Sequence, residues 1–385
     1  NNYLERQIKE NFPYQPTLEQ EIAVKSLSEF LLSTLADEVF ILRGYAGTGK
    51  TSLVGALVKT MDQLQQKSVL LAPTGRAAKV FSAYAGHPAF TIHKKIYRQR
   101  SYSNELTNFS INDNLATNTL FIVDEASMIS NEGLSGSVFG TGRLLDDLIQ
   151  FVYSGQGCRL LLMGDTAQLP PVGEELSPAL FTDALKGYGL EVREIDLTQV
   201  VRQVQESGIL WNATRLRQLI VEDECYSLPK IRVNGCPDIK VVLGTELIEE
   251  LTNCYDHDGM DETIVVCRSN KRANLYNNGI RAQILWREDE LNTGDMLMVA
   301  KNNYYWTEQY KEMDFIANGE IAVVRRVRRT REMYGFRFAE VTLRFPDQND
   351  FELDANLLLD TLHSDSPALP KADNDRLFYT VLEDY

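Results

Sequence analysis

The residues whose types and spacing suit chemistry best are Gly44-Tyr45-Ala46-Gly47-Thr48-Gly49-Lys50-Thr51. Glycines at 44 and 49 let the backbone bend tightly, so that successive N–H groups point at an anion seated on the N-terminus of a following helix. In that pattern Lys50 reaches the β- and γ-phosphates of a nucleoside triphosphate and the Thr51 hydroxyl ligates Mg²⁺, while Gly47, Thr48 and Gly49 line the cradle. A Gly-rich surface turn is the bland alternative. The apolar run Val39, Phe40, Ile41, Leu42 before the loop and the helix-forming run after it weigh against that alternative.

Two further loops carry complementary groups. The apolar run Leu120-Phe121-Ile122-Val123 ends in Asp124-Glu125, paired carboxylates suited to holding a Mg²⁺ shell (Asp124) and to orienting and deprotonating an attacking water (Glu125). Solvated strand caps are the alternative for this pair. The strand expected at 159–163 runs into Gly164-Asp165-Thr166-Ala167-Gln168-Leu169-Pro170-Pro171-Val172. Its prolines stiffen the loop, and Gln168 supplies an uncharged donor and acceptor fit to sense a γ-phosphate; a rigid surface turn is the other reading.

These loops need a frame. Short buried strands at 39–42, 68–72, 120–123 and 159–163, separated by helices, predict an open α/β sheet with its chemical loops at strand carboxyl ends, where such sheets bind ligands. Residues 1–16, with Pro13 and Pro16, read as an extended or partly helical lead-in. Thr17 reads as an N-cap with Gln20 three residues on, before an amphipathic helix whose apolar positions are Ile22, Ala23, Leu27, Phe30 and Leu31. For Gln20 two readings are open: the capping-box amide, or an amide that pairs with an adenine edge.

Pro73-Thr74-Gly75-Arg76-Ala77-Ala78-Lys79 suits a phosphodiester backbone through hydroxyl, N–H and cation contacts, with a plain strand-to-helix connection as the alternative. Thr91-Ile92-His93-Lys94-Lys95-Ile96-Tyr97 has a similar mix, although for His93 alone an ordinary core or cap histidine is the plainer reading. Residues 98–119 are polar with Asn-rich turns and read as a protruding hairpin or a disordered loop.

Composition sets bounds. A chain of 385 residues with 44% hydrophobic side chains predicts two or three domains with ordinary cores. No apolar run approaches the roughly eighteen residues of a membrane span, and residues 1–6 lack a signal-peptide apolar stretch, so the expectation is a cytoplasmic protein without membrane contact. The five cysteines form no C-x-x-C pair and the four histidines are scattered, which argues against a disulfide frame and a zinc site. A formal charge of −15 weighs against nucleic-acid binding, yet residues 325–344 are basic while 347–385 are strongly acidic. Net charge therefore excludes little.

Together the phosphate loop, A-P-T-G-R-A-A-K, T-I-H, V-D-E-A-S-M and G-D-x-x-Q-L-P-P resemble a superfamily 1 DNA helicase, most closely the RecD and Dda type, a branch that moves 5′ to 3′ along single-stranded DNA. The resemblance implies two RecA-like P-loop NTPase domains, with a small β-rich insertion, that use ATP and Mg²⁺. It gives Gln20 the adenine, Lys50, Thr51, Asp124 and Glu125 the hydrolysis, Gln168 the γ-phosphate, and Thr74, Gly75, Arg76 and His93 the DNA side. Leu197-Thr198-Gln199-Val200-Val201-Arg202-Gln203 is similar to the family segment whose arginine reaches the γ-phosphate across the interdomain cleft, which makes Arg202 the candidate finger; a surface salt-bridge arginine is the alternative.

In the same reading a strand at 263–267 begins the second RecA-like domain. Asn270-Lys271 lacks the aspartate of a guanine-reading motif, since Ala273 stands there. Residues 321–327 and 336–345 alternate as antiparallel strands of the inserted piece, and their arginines have two readings, DNA phosphate contacts or a solvated face. The expected organisation is a lead-in (1–16), a first RecA-like domain (17–195), an incomplete second one (196–318), and a β-barrel-like segment with an acidic tail (319–385). Late family segments, among them H-K-x-Q-G and a second nucleotide-facing arginine, have no counterpart up to Tyr385, so a fragment and a shortened protein are both open. The implied function is a monomeric ATP-dependent helicase or translocase acting on single-stranded DNA and duplex junctions. The alternatives are a nucleotide-gated DNA-binding module with weak turnover and a P-loop ATPase acting on a non-DNA partner.

Overall fold

The computed structural model describes residues 2–99, 109–133, 139–200, 207–222, 226–300, 303, 306–307, 310, 313, 315–364 and 369–383. The chain divides into two units, Asn1–Ile239 and Lys240–Tyr385.

The first unit opens with helices α1 (Asn2–Glu10) and α2 (Leu18–Leu32). The Thr17 hydroxyl accepts the Gln20 N–H, and the Gln20 side chain accepts the Thr17 N–H, so the expected capping box starts α2. Because that box turns Gln20 inward, the helical period carries Ala23, Val24 and Leu27 into the core with it. Ile22, expected on the buried face, lies on the opposite side and is 53% exposed.

The chain continues through β1 (Glu38–Gly44), α3 (Lys50–Gln63), β2 (Lys67–Ala72), α4 (Gly75–Ala85), β3 (Ala89–Thr91) and α5 (Ile92–Ile96). Strands β4 (Tyr97–Gln99) and β5 (Phe109–Ile111) pair antiparallel, so the polar excursion is built as a hairpin where it is described. Then come β6 (Thr119–Val123), α6 (Leu144–Ser154), β7 (Arg159–Gly164), α7 (Thr182–Lys186), β8 (Glu191–Leu197) and α8 (Gly208–Val221).

Six strands form one sheet in the order β3-β2-β6-β7-β1-β8, and every pairing is parallel. Every residue of β6, five of the six in β7 and six of the seven in β1 are buried, as expected of strands covered on both faces. The core joins α1, α2, α3 and α4 to this sheet through Ile8, Phe30, Phe40, Leu42, Leu57, Leu70, Phe81 and Ile122. Strand β8 was hidden in the sequence because Arg193, Glu194 and Asp196 interrupt its apolar residues. Arg43 of β1 takes up two of those charges, pairing with Glu194 at 2.6 Å and Asp196 at 2.7 Å.

The second unit holds α9 (Leu247–His257), α10 (Asn270–Gln283), β9 (Met296–Met298), β10 (Ile321–Met333), β11 (Phe336–Phe345), β12 (Phe351–Leu358) and α11 (Lys371–Glu383). Its sheet is antiparallel in the order β12-β11-β10-β9. Strands β10 and β11 meet at Met333 and Phe336 across Tyr334 and Gly335, whose φ values of 56° and 73° make the tight two-residue turn that matches strand twist. The core beneath is Ala322, Val324, Ala339, Val341, Leu343, Phe345 and Leu353.

The outer face of that sheet carries the arginines, and they are met by carboxylates: Arg325 with Glu352 at 3.1 Å, Arg328 with Asp354 at 2.7 Å and Arg329 with Glu340 at 2.7 Å. Paired in this way, the stripe supports the solvated-face reading. The strand expected at 263–267 is not formed. Among the described residues none pairs with it, and Ile264 and Val266 are 84% and 88% exposed, because a short apolar run becomes a strand only when a ladder partner lies beside it.

Candidate nucleotide site

The glycine loop follows β1, Asp124-Glu125 follows β6, and Asp165 follows β7, which lies between those two strands. Parallel pairing puts all three turns at one edge of the sheet. Within the loop, Gly47 and Gly49 both adopt φ +83°, a region that side chains avoid. A Cβ on Gly49 would also collide with the Gln20 amide and lie 2.6 Å from the Tyr14 hydroxyl, and one on Gly44 would lie 2.8 Å from Thr48 Oγ1. The loop is therefore built around missing side chains.

Thr48, almost fully buried, donates its hydroxyl to the Tyr45 carbonyl at 2.7 Å. Lys50 Nζ donates to the Gly44 carbonyl, and to that of Tyr45 at 3.2 Å. Burial pushes the Lys50 pKa down, while the charges of Asp165, Asp124 and Glu125 act the other way. Thr51, in the first turn of α3, is exposed.

Gln20 is completely buried against this loop. Its Nε2 donates to the Thr48 carbonyl at 3.0 Å and to Tyr14 Oη at 3.3 Å, and its side-chain oxygen serves the capping box. Its neighbour Glu19 accepts the N–H groups of Thr198 and Gln199 at 2.8 and 2.7 Å, clasping the exit of β8. Arg202, a few residues further, lies outside the described residues.

Asp124 is held at both oxygens: Oδ2 accepts the Tyr84 hydroxyl at 2.7 Å and Oδ1 the Glu125 N–H at 2.8 Å. Burial pushes the Asp124 carboxyl up. Burial and then the adjacent Asp124 charge do the same to Glu125. Glu125 takes φ +51°, ψ +37°, a left-handed backbone that is uncommon for a residue with a side chain and marks a place where surroundings dictate conformation. Its carboxylate hydrogen-bonds the Gln168 side chain, whose Oε1 also accepts the Ser127 hydroxyl at 3.2 Å. The fold thus joins the second and third loops through Glu125 and Gln168.

Three participants were not singled out from sequence. Asp165 is buried beside Lys50 and accepts the Ala167 N–H at 2.9 Å. Arg217 of α8 stacks over the Tyr45 ring, 4.7 Å from its centroid, and its Nη1 is buried without a hydrogen-bond partner among the described residues. Tyr84 lies forty residues before Asp124 on a helix, where no spacing rule signals it.

The remaining candidates sit at the neighbouring strand ends. Thr74 caps α4 by accepting the Ala77 N–H at 3.2 Å, and Thr91 caps α5 by accepting the Lys94 N–H at 3.2 Å. Ala72 and Thr91 are register partners on β2 and β3, so these two caps share an edge. Gly75 is buried and Arg76 exposed. The His93 ring packs 4.9 Å from Phe139 and 5.6 Å from Tyr97, and this enclosure pushes its pKa down to about 4. That neutral, packed imidazole supports the core-histidine reading.

Sheet order, glycine loop and carboxylate turns define a P-loop nucleoside triphosphatase domain. Residues 19–218, just over half of the chain, match the family described as AAA domain, and the chain belongs to it. It is 31% identical over 193 residues to the ATP-dependent RecD2 DNA helicase of Deinococcus radiodurans, which covers 49% of this chain and 23% of that protein. It is 23% identical over 366 residues to the uncharacterized protein R530 of Acanthamoeba polyphaga mimivirus, covering 82% of this chain and 66% of that one. The chain thus spans less than two thirds of these curated relatives. Among solved structures, the Pif1 helicase from Candida albicans aligns with 90% of this chain and 78% of its own at 17% identity and a TM-score of 0.37. The resemblance to superfamily 1 helicases of the RecD type is borne out by the family match and the RecD2 relative.

Proposed function

We propose that this chain is an ATP-dependent DNA helicase or translocase that couples hydrolysis to 5′ to 3′ movement on single-stranded DNA, acting as a monomer in the cytoplasm and engaging duplex junctions. The observation that carries the reading is the gathering of Lys50, Asp124, Glu125, Asp165 and Gln168 at the carboxyl ends of three adjacent parallel strands. The donor set fits Mg·ATP. A loop whose Cβ positions must stay empty leaves backbone N–H groups for phosphate, and Thr51 and Asp124 offer the few hard oxygens that Mg²⁺ takes when phosphates supply the rest.

Bound Mg²⁺ supplies neutralisation of charge on the β- and γ-phosphates. Lys50 then exchanges its carbonyl partners in the loop for phosphate oxygens, a stronger charge-assisted pairing. Glu125, its proton affinity raised by burial and by Asp124, is the base that takes a proton from the attacking water, and Gln168 orients that water or reads the γ-phosphate. In the same proposal Gln20 meets the adenine, Arg202 supplies a cation to the γ-phosphate, and Thr74, Gly75 and Arg76 form the DNA side, while His93 stays a packed histidine beside them. Thr74 Oγ1 accepts a backbone N–H and so keeps its proton for a phosphate oxygen.

ATP hydrolysis with and without oligothymidylate tests the reading, and partial duplexes with 5′ or 3′ tails test the polarity. Multiple-turnover hydrolysis stimulated by the oligonucleotide and unwinding from a 5′ tail are the expected results. Hydrolysis indifferent to DNA favours a P-loop ATPase with another partner, and binding without turnover favours a nucleotide-gated module.

A further inference from the structure

We propose that Tyr84 is a positioning residue that ties the Asp124 carboxylate to helix α4, so that a strand held at the other end of α4 changes how readily the site takes Mg²⁺. This rests on the ATP-site reading above.

Tyr84 lies in the last turn of α4, and its hydroxyl donates to Asp124 Oδ2 at 2.7 Å. With the Glu125 N–H on Oδ1, the carboxylate is held at both ends, and each oxygen keeps a second lone pair for a metal or a metal-bound water. The ring of Tyr84 stacks on Phe81 of the same helix at 5.1 Å and 29°. Its carbonyl oxygen lies against α3, 3.5 Å from where a Cβ on Gly55 would stand. Tyr84 is therefore fixed between the helix that follows the phosphate loop and the carboxylate that faces it.

Packing alone does not call for that hydroxyl, because a phenylalanine would fill the same stack. Its placement makes mechanical sense along α4. The eleven-residue helix, a rod of roughly 16 Å, carries Thr74 and Arg76 at its start and Tyr84 near its end. A displacement delivered at Thr74 and Arg76 is delivered to Asp124 as well.

The test is Mg²⁺-dependent binding of a fluorescent ADP analogue to the 385-residue chain, with and without oligothymidylate, in the parent and in Tyr84→Phe. The variant should melt close to the parent and bind the analogue equally in EDTA. Its half-saturating Mg²⁺ should rise about tenfold, the low end for a group one step behind a metal shell. Oligothymidylate should lower that value in the parent and leave it unmoved in the variant. In Asp124→Asn, adding Tyr84→Phe should change nothing more, because the hydroxyl acts through the carboxylate. A half-saturating Mg²⁺ equal to the parent's, or additive effects in the double variant, overturns the positioning role, and a strand effect as large as the parent's overturns the link through α4. A parent that binds no nucleotide overturns the ATP-site reading first, and this proposal with it.

Discussion

Gln20 Nε2 donates to the carbonyl oxygen of Thr48 at 3.0 Å, a bond between the first turn of α2 and the apex of the phosphate loop. The same side chain closes the capping box on Thr17, so one buried amide both starts a helix and props the loop. Its neighbour Glu19 holds the exit of β8. Two consecutive side chains thereby fix the phosphate loop and the segment that leads toward Arg202.

Gln20→Ala should destabilise the first unit by about 1–3 kcal/mol, since it leaves the Thr48 carbonyl and the Thr17 N–H without their partners in a buried setting. Chemical denaturation of the two proteins measures this. The ratio of ATP to GTP affinity in the same variant measures the adenine role separately. A stability loss with an unchanged ratio assigns Gln20 to the loop alone, and a collapsed ratio assigns it the base as well.

Gly49→Ala should abolish Mg·ATP binding and lower the melting temperature, because the new Cβ meets φ +83° and collides with Gln20 and Tyr14. Isothermal titration and a thermal melt check it. Unchanged binding would show that the loop can shift aside, contrary to the packing described.

Glu125→Gln should keep Mg·ATP binding while slowing hydrolysis by a factor on the order of 10² or more, as the amide keeps the shape but cannot take the proton. Equilibrium binding and single-turnover hydrolysis separate the two effects. A parallel fall in both would assign Glu125 to the architecture of its left-handed turn instead.

His93 sets a pH dependence of stability. Its pKa in the folded chain is about 4, below the ordinary 6.5, so between those values the unfolded chain binds the proton and the folded chain does not. The favourable contribution is complete above pH 6.5 and is lost as pH falls toward 4. His93→Phe, which suits the aromatic packing with Phe139 and Tyr97, should remove this slope, narrowing the stability difference between pH 7 and pH 5 by about 1–2 kcal/mol relative to the parent. Urea titrations at the two pH values measure it, and identical slopes would contradict the neutral, ring-packed imidazole.

What was legible in sequence follows the physics of each element. The loops after β1, β6 and β7 were visible because glycine spacing and paired carboxylates are local and the strands beside them are continuous apolar runs. Strand β8 was not, since its charges are neutralised only by Arg43, about 150 residues away. The expected strand at 263–267 shows the converse, a short apolar run that finds no ladder partner among the described residues. Asp165, Arg217 and Tyr84 became visible only when folding brought them to Lys50, Tyr45 and Asp124, contacts that no local spacing encodes. The Gln20 alternatives illustrate the limit well: the capping box is local and readable, whereas its bond to Thr48 needs the fold.

The central claim is that the gathered loops form an ATPase driven by single-stranded DNA, and steady-state ATP hydrolysis with and without oligothymidylate, in the parent and in Lys50→Ala, tests it most directly. The expected result is turnover in the parent that rises with the oligonucleotide and none in Lys50→Ala, which loses the cation paired with the β- and γ-phosphates. Stimulated turnover that persists in Lys50→Ala, or no turnover in the parent under either condition, would contradict it.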